Sequence, residues 1–315
     1  MEHKRQRVTL IPSPIQIPPL GLGAWQWGDR LLWGYGRDYT DADLRAAFDA
    51  ALAAGVNFFD TAESYGGGRS ERLLGEFIRS SGNPVSVATK FMPYPWRLQR
   101  RHLVDKLRRS LERLGLPRVD LYQVHWPMPP RSIETWADAL ADAVEAGLTR
   151  AVGVSNFNVE QLRRAHATLA RRGVALTSNQ VEYSLLHRAP ERNGLLAACR
   201  ELNVTLIAYS PLAKGLLTGK YAPGHPPPGL RGRRWRGQAL TSIQPLVARL
   251  REIGARHGKT PSQVALNWLI YKGAVPIPGV KNAAQVQDNA GALGWSLKPD
   301  EVAVLDQASD HKRQL

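Results

Sequence analysis

The chain is poor in cysteine, methionine and acid. One cysteine, Cys199, stands among 315 residues, so no disulfide can form within the chain and nothing points to an oxidising compartment. It follows Leu195, Leu196, Ala197 and Ala198 in an apolar helical pattern. No run approaches the ~18 apolar residues of a membrane span. The basic residues 1–7 lead into no apolar stretch, so a secretory signal is not expected and a cytoplasmic location is. His-Glu-x-x-His and Cys-x-x-Cys are both absent, so no zinc or other metal site is expected. Acid is outnumbered, 27 Asp and Glu against 42 Lys and Arg, for a net charge of +15. Such an excess suits nucleic acid, anionic ligands or an arginine-rich surface. The basic residues are spread along helical segments such as 100–113; only Arg231, Arg233, Arg234 and Arg236 form a dense cluster. A solvated surface is the default reading, with no nucleic-acid or membrane partner.

What is present is a regular alternation. With 43% hydrophobic and 22% charged residues, the chain has ample side chain for a core. Eight short β-type runs occupy 21–25, 56–60, 85–90, 119–125, 151–155, 177–182, 205–210 and 274–278. Most recur at roughly 30 residues, the length of one strand-plus-helix unit. Between them, Leu44, Phe48 and Leu52 recur every four residues within 41–54, with Ala47 and Ala51 beside them, the stripe of an amphipathic helix. Similar stripes run through 71–78, 103–114, 133–146, 159–170 and 264–270. Eight such units with right-handed crossovers close most simply into a single (β/α)8 TIM barrel spanning 1–315. A doubly wound sheet would normally carry Gly-x-Gly-x-x-Gly, which residues 21–28 do not match. Residues 8–19 read as a hairpin around Pro12 and Pro14, suited to plug the closed end of the barrel. Extra length at 211–272 holds a Pro- and Arg-rich loop, 215–238, and then two helices. Gly258-Lys259-Thr260 lacks the upstream glycine of a phosphate loop and reads as a helix end followed by a cap.

In such a barrel the chemistry sits at the C-terminal ends of the strands. Asp60, Lys90 and His125 each follow an apolar run, and Tyr65 lies just after Asp60. A phenol has a pKa of about 10; a neighbouring lysine cation would lower it, and an aspartate would position that lysine. The histidine can hydrogen-bond a substrate oxygen while the tyrosine protonates it. A buried Asp–Lys pair with an ordinary tyrosine and histidine nearby is the plainer alternative; four such residues at successive strand ends favour catalysis.

At this point the sequence resembles the aldo-keto reductase superfamily. The carrying motifs are Phe59-Asp60-Thr61-Ala62-Glu63-Ser64-Tyr65-Gly66, Ala88-Thr89-Lys90, Val124-His125-Trp126, Gly153-Val154-Ser155-Asn156-Phe157, Asn179-Gln180-Val181-Glu182-Tyr183, Ala208-Tyr209-Ser210-Pro211-Leu212 and Pro276-Ile277-Pro278-Gly279-Val280-Lys281. Their order covers nearly the whole chain. The resemblance implies a tetrad of Asp60, Tyr65, Lys90 and His125, with Tyr65 as general acid in the reduction of aldehydes or ketones, and NADPH lying across the mouth. Ser155, Asn156 and Gln180 would hold the carboxamide and Tyr209 would stack on the nicotinamide. Ser210, Leu212 and Gly215 would begin a loop over the pyrophosphate. Gly279, Lys281, Gln285 and Asn289 would face the adenosine end, Lys281 pairing with a 2′-phosphate. Members that place an arginine where Gln285 stands differ here. Asn158 is the better candidate for capping the helix that follows Asn156.

An aromatic substrate wall is expected from Trp25, Trp27, Trp96 and Trp126, with Trp33 packing its own loop. Flat aromatic faces suit a planar aldehyde or quinone. Within the superfamily, residues 25–28, 31–35, 94–98 and 291–295 look most like the plant plastidial pyridoxal reductases, which adds pyridoxal as a substrate candidate. The alternative function is a cofactor-binding regulatory subunit, as in the potassium-channel β-subunits that share this fold.

Overall fold

Ten strands and twelve helices are described in this computed structural model, which covers residues 8, 9, 15–228, 235 and 237–310. Two short strands come first, β1 (Val8–Thr9) and β2 (Gln16–Ile17), paired antiparallel with Val8 opposite Ile17. This is the expected hairpin; its tip, with Pro12 and Pro14, lies outside the described residues. So does the cluster Arg231, Arg233, Arg234 and Arg236.

The remaining strands are β3 (Leu22–Gly23), β4 (Phe58–Asp60), β5 (Ser86–Phe91), β6 (Val119–Val124), β7 (Thr149–Ser155), β8 (Leu176–Glu182), β9 (Thr205–Tyr209) and β10 (Val275–Ile277). Each pairs in parallel with the next in chain order. Gly21 and Gly23 donate their N–H groups to Pro276 O (3.0 Å) and Pro278 O (3.1 Å), and Gly23 bridges to Gly279. These bonds join the first strand to the last, and the sheet becomes a (β/α)8 barrel with little exposed edge.

The helices between the strands are α1 (Asp41–Ala53), α2 (Arg69–Ser81), α3 (Arg101–Leu114), α4 (Ile133–Glu145), α5 (Val159–Arg171), then the short α6 (Ala189–Arg192) and α7 (Leu195–Glu201). The long insertion before β10 carries a one-turn α8 (Gln238–Thr241), α9 (Gln244–His257) and α10 (Pro261–Tyr271). After β10 come α11 (Ala283–Ala290) and α12 (Pro299–Asp310). Gly258 ends α9 in the left-handed region and Thr260 caps α10 by accepting from Gln263 N, as the sequence implies. No helix among the described residues is long and apolar enough to cross a membrane.

Side chains alternate across each strand. One set, with Phe59, Val87, Tyr122, Val152 and Leu206, packs outward against the helices in the main core. The other set, Phe58, Ala88, Leu121, Ala151, Ile207 and Val275, fills the inside of the barrel together with Ile15 and Ile17 of the hairpin. The plug expected at the closed end is therefore an apolar one.

Candidate active site

Two to four residues further along the same inward face, the interior turns polar. Phe58 leads to Asp60, Ala88 to Lys90, Leu121 to Gln123 and His125, Ala151 to Ser155, Ser178 to Gln180 and Ile207 to Tyr209. The pleat itself stacks a polar layer on an apolar one. Gly153 occupies the inward position between Ala151 and Ser155, where a Cβ would lie 2.1 Å from Ser178 Oγ, so only glycine fits there.

Lys90 and Asp60 pair at the centre, both essentially inaccessible to solvent. Lys90 Nζ also donates to Thr61 O (2.9 Å) and Tyr65 Oη (3.4 Å). Asp60 Oδ2 accepts from Gln180 Nε2 at 2.7 Å and from Gln123 Nε2 at 3.3 Å. A buried carboxylate needs such partners to remain charged. Tyr65 meets His125 edge-to-face at 5.7 Å. The four residues that the sequence singles out thus converge, with Lys90 beneath the surface and Asp60, Tyr65 and His125 on the cavity wall.

The electrostatics differ in one respect from the sequence-based expectation. Burial raises the Tyr65 phenol above its ordinary value; Lys90 opposes this but does not reverse it. Tyr65 is a neutral proton donor here. For Lys90, burial is the largest influence and favours the amine, yet Asp60 and Tyr65 together hold the ammonium above its usual value. Burial, and then the Lys90 charge, push the His125 imidazole down to about 3. It is neutral near pH 7, and its Nδ1 is buried with no hydrogen-bond partner among the described residues.

Around this centre lies a cavity of about 560 Å³. Ser155, Asn156, Gln180, Tyr209, Ser210, Leu212, Gly215, Gly279, Lys281, Gln285 and Asn289 all line it. Asn156 is held in a left-handed conformation (φ 63°), where its Nδ2 donates to His125 O (3.0 Å) and its Oδ1 accepts from Tyr209 Oη (3.0 Å). Ser155 Oγ donates to Gln180 O (2.8 Å). Ser210, Ala213 and Lys214 also have positive φ, so backbone strain gathers on the strands' C-terminal side. Lys281 Nζ donates to Trp33 O (2.6 Å) and lies over the Trp33 and Tyr39 rings.

The aromatic wall needs correction. Trp25 and Trp126 line the cavity as expected. Trp27 does not: it is fully buried in the outer core against Phe59 and Phe77, its Nε1 donating to Val280 O (3.2 Å). Trp96 is 70% exposed and stacks on Tyr94 outside the cavity. Trp33, expected only to pack its loop, lines the mouth edge-to-face with Trp25 at 5.6 Å.

With this geometry in place, comparison with known proteins is decisive. The family model described as the aldo/keto reductase family matches residues 19–310. The chain belongs to the aldo/keto reductase family. It is 46% identical over 311 residues to the chloroplastic pyridoxal reductase of Arabidopsis thaliana, covering 94% of this chain and 84% of that one. It is 32% identical over 313 residues to an NADP(+)-designated aldo-keto reductase of Schizosaccharomyces pombe, covering 94% and 89%. Among solved structures it is similar to a thermostable aldo-keto reductase in complex with the inhibitor epalrestat, with TM-score 0.77, 31% identity and coverage of 96% and 99%. It is also similar to the glycerol dehydrogenase of Gluconobacter oxydans, with TM-score 0.85, 26% identity and coverage of 98% and 97%.

In this aldo/keto reductase several wall residues escape the sequence reading. Gln26, Met92, Glu182, Lys214, Lys220 and Asp288 all line the cavity. Glu182 follows Gln180 by two on β8, a period-2 signal that was available. Met92 and Lys220 come from loops, where periodicity says nothing. Beside the site, Glu63 pairs with Arg97 and accepts from Met92 N (2.8 Å), tying the Tyr65 loop to the loop after β5.

The donor set suits a nicotinamide dinucleotide. Lys214, Lys220 and Lys281 line one cavity, as charge partners for phosphates. Ser155, Asn156 and Gln180 offer the paired donors and acceptors that a carboxamide needs, and Tyr209 offers a flat face.

Proposed function

We propose that this chain is an NADPH-dependent carbonyl reductase acting on aromatic aldehydes, pyridoxal among them, with Tyr65 as the general acid. The observation that supports it most is Tyr65 Oη at 3.4 Å from a lysine that Asp60 and Thr61 O hold fixed, all at the base of one cavity. NADPH, when bound, supplies the hydride to the carbonyl carbon. Tyr65 delivers a proton to the oxygen as negative charge grows there. Lys90 stabilises the resulting phenolate, and Asp60 keeps the lysine charged and in place. Neutral His125 donates one N–H to the carbonyl oxygen, which polarises it before the proton moves. Ser155, Asn156 and Gln180 would hold the nicotinamide carboxamide, Tyr209 would pack on its ring, and Lys281 would pair with a 2′-phosphate.

The substrate assignment draws on Trp25, Trp33 and Trp126 around the mouth, and on the name of the Arabidopsis relative. Purified protein should consume NADPH with pyridoxal and with 4-nitrobenzaldehyde. Tyr65→Phe should lose about 100-fold or more in kcat, the usual scale of a general acid, while its NADPH Kd stays within about twofold. Normal turnover in that variant sinks the mechanism. Tight NADPH binding with no turnover by the wild type would favour the regulatory-subunit reading.

A further inference from the structure

Gln26 follows Trp25 just beyond β3, at the seam where the barrel closes. It is 8% exposed and lines the cavity. Its Oε1 is buried with no hydrogen-bond partner among the described residues. Other buried side-chain atoms share that condition, among them Asn57 Oδ1, Asn179 Oδ1 and Trp136 Nε1. None of those residues lines the cavity, and both asparagines use their amide nitrogen, on Pro84 O and Phe157 O. Of these three carboxamide oxygens, that of Gln26 is the one on the cavity wall; the unpartnered His125 Nδ1 on the same wall belongs to the tetrad.

Its position is permitted from the other side of the seam. A Cβ on Gly279 would lie 2.0 Å from Gln26 Nε2 and 2.2 Å from Oε1. The carboxamide therefore lies directly on the Gly279 backbone, and any side chain at 279 would push it away. Two residues on, Lys281 lines the same cavity. An unpaired buried amide oxygen is costly to the free protein; a leucine there would fill the space without that cost. The arrangement makes sense where a ligand supplies the missing partner.

We infer that Gln26 is a recognition residue for the bound dinucleotide, accepting a hydrogen bond from one of its O–H or N–H groups across the β3–β10 seam. An acceptor without a donor calls for an O–H or N–H, which the riboses and amides of a dinucleotide offer and a fully ionised phosphate does not. This inference rests on the NADPH-dependent reading above. Gly279 serves it as the floor on which the amide lies.

The test is equilibrium NADPH titration by tryptophan fluorescence, with the thermal midpoint of the ligand-free protein measured alongside. Gln26→Leu should weaken NADPH about tenfold, the equivalent of roughly 1.4 kcal/mol, while the ligand-free Tm holds or rises. An unchanged Kd, or a lowered ligand-free Tm that accounts for the weaker binding, overturns the assignment. Gln26→Glu, which keeps the acceptor, should bind more tightly than Gln26→Leu. If Gln26→Glu binds more weakly than Gln26→Leu, the residue faces the negative charge of a phosphate and the acceptor assignment is wrong. A wild type that fails to bind NADPH removes the cofactor reading itself, a result visible before any variant is compared.

Discussion

His125 shows how burial sets chemistry one residue at a time. Its imidazole is held at about 3 by burial and then by Lys90, against about 6.5 in an open chain. Below about pH 6.5 the unfolded chain takes up a proton that the folded protein refuses until about pH 3. Stability present above that upper limit is therefore lost progressively as the pH falls between the two values. Urea unfolding between pH 7 and 4 should show His125→Asn losing stability less steeply than wild type, by at most about 1.4 kcal/mol per pH unit. Parallel slopes would mean that the ring titrates freely. Asp60, Lys90 and His125 were legible in the sequence because each interrupts an apolar run with a group that is expensive to bury alone. Trp27 was misread because a tryptophan beside a strand end has the same signature whether it faces helix or mouth. Gln26 carries no signal of its own: only the closed seam shows that its amide oxygen has no partner among the described residues.

At the scale of elements, the strand-to-helix turn after β7 joins function to stability. Asn158 Oδ1 accepts from Gln161 N (2.9 Å) and Gln161 Oε1 accepts from Asn158 N (3.1 Å), a reciprocal cap one turn from Ser155 and Asn156. Asn158→Ala should lower unfolding free energy by about 1 kcal/mol, measured by urea denaturation. A loss of only a few tenths would mean that water replaces the cap. The cap was readable from residue types alone, as were the stripes of α1 and α3. Boundaries were less so. β3 shrinks to Leu22–Gly23, since pairing and not apolarity decides how long a strand is. α2 begins at Arg69, two residues before its apolar stripe, where Ser70 Oγ donates to Ala24 O (2.9 Å). That bond comes from the loop just after β3, distant in sequence, and no local pattern announces it.

For the whole molecule, the barrel separates a mouth that does chemistry from a base that holds the strands together. Ile17 is fully buried at that base, within the inner cluster of Phe58, Leu121 and Ile207. Ile17→Ala should cost about 2–5 kcal/mol in urea unfolding, by lost burial and the cavity left behind, with NADPH Kd unchanged within about twofold. A variant that weakens NADPH as strongly as it weakens the fold would show that base and mouth are not independent. Eightfold alternation made this architecture legible, whereas the 211–272 insertion shows only its helices.

The seam between β3 and β10 gives the fold a sense of order in time. Gly23 ends the first strand of the barrel and Gly279 lies just after the last, so a growing chain on the ribosome has one lip of that seam long before the other. A ligand gripped by residues 26 and 279–281 would ignore such unfinished molecules. By mass action it would also draw any briefly opened barrel back toward closure. Cofactor affinity would then double as a readout of completed assembly, and cellular cofactor supply would help decide how long each molecule survives.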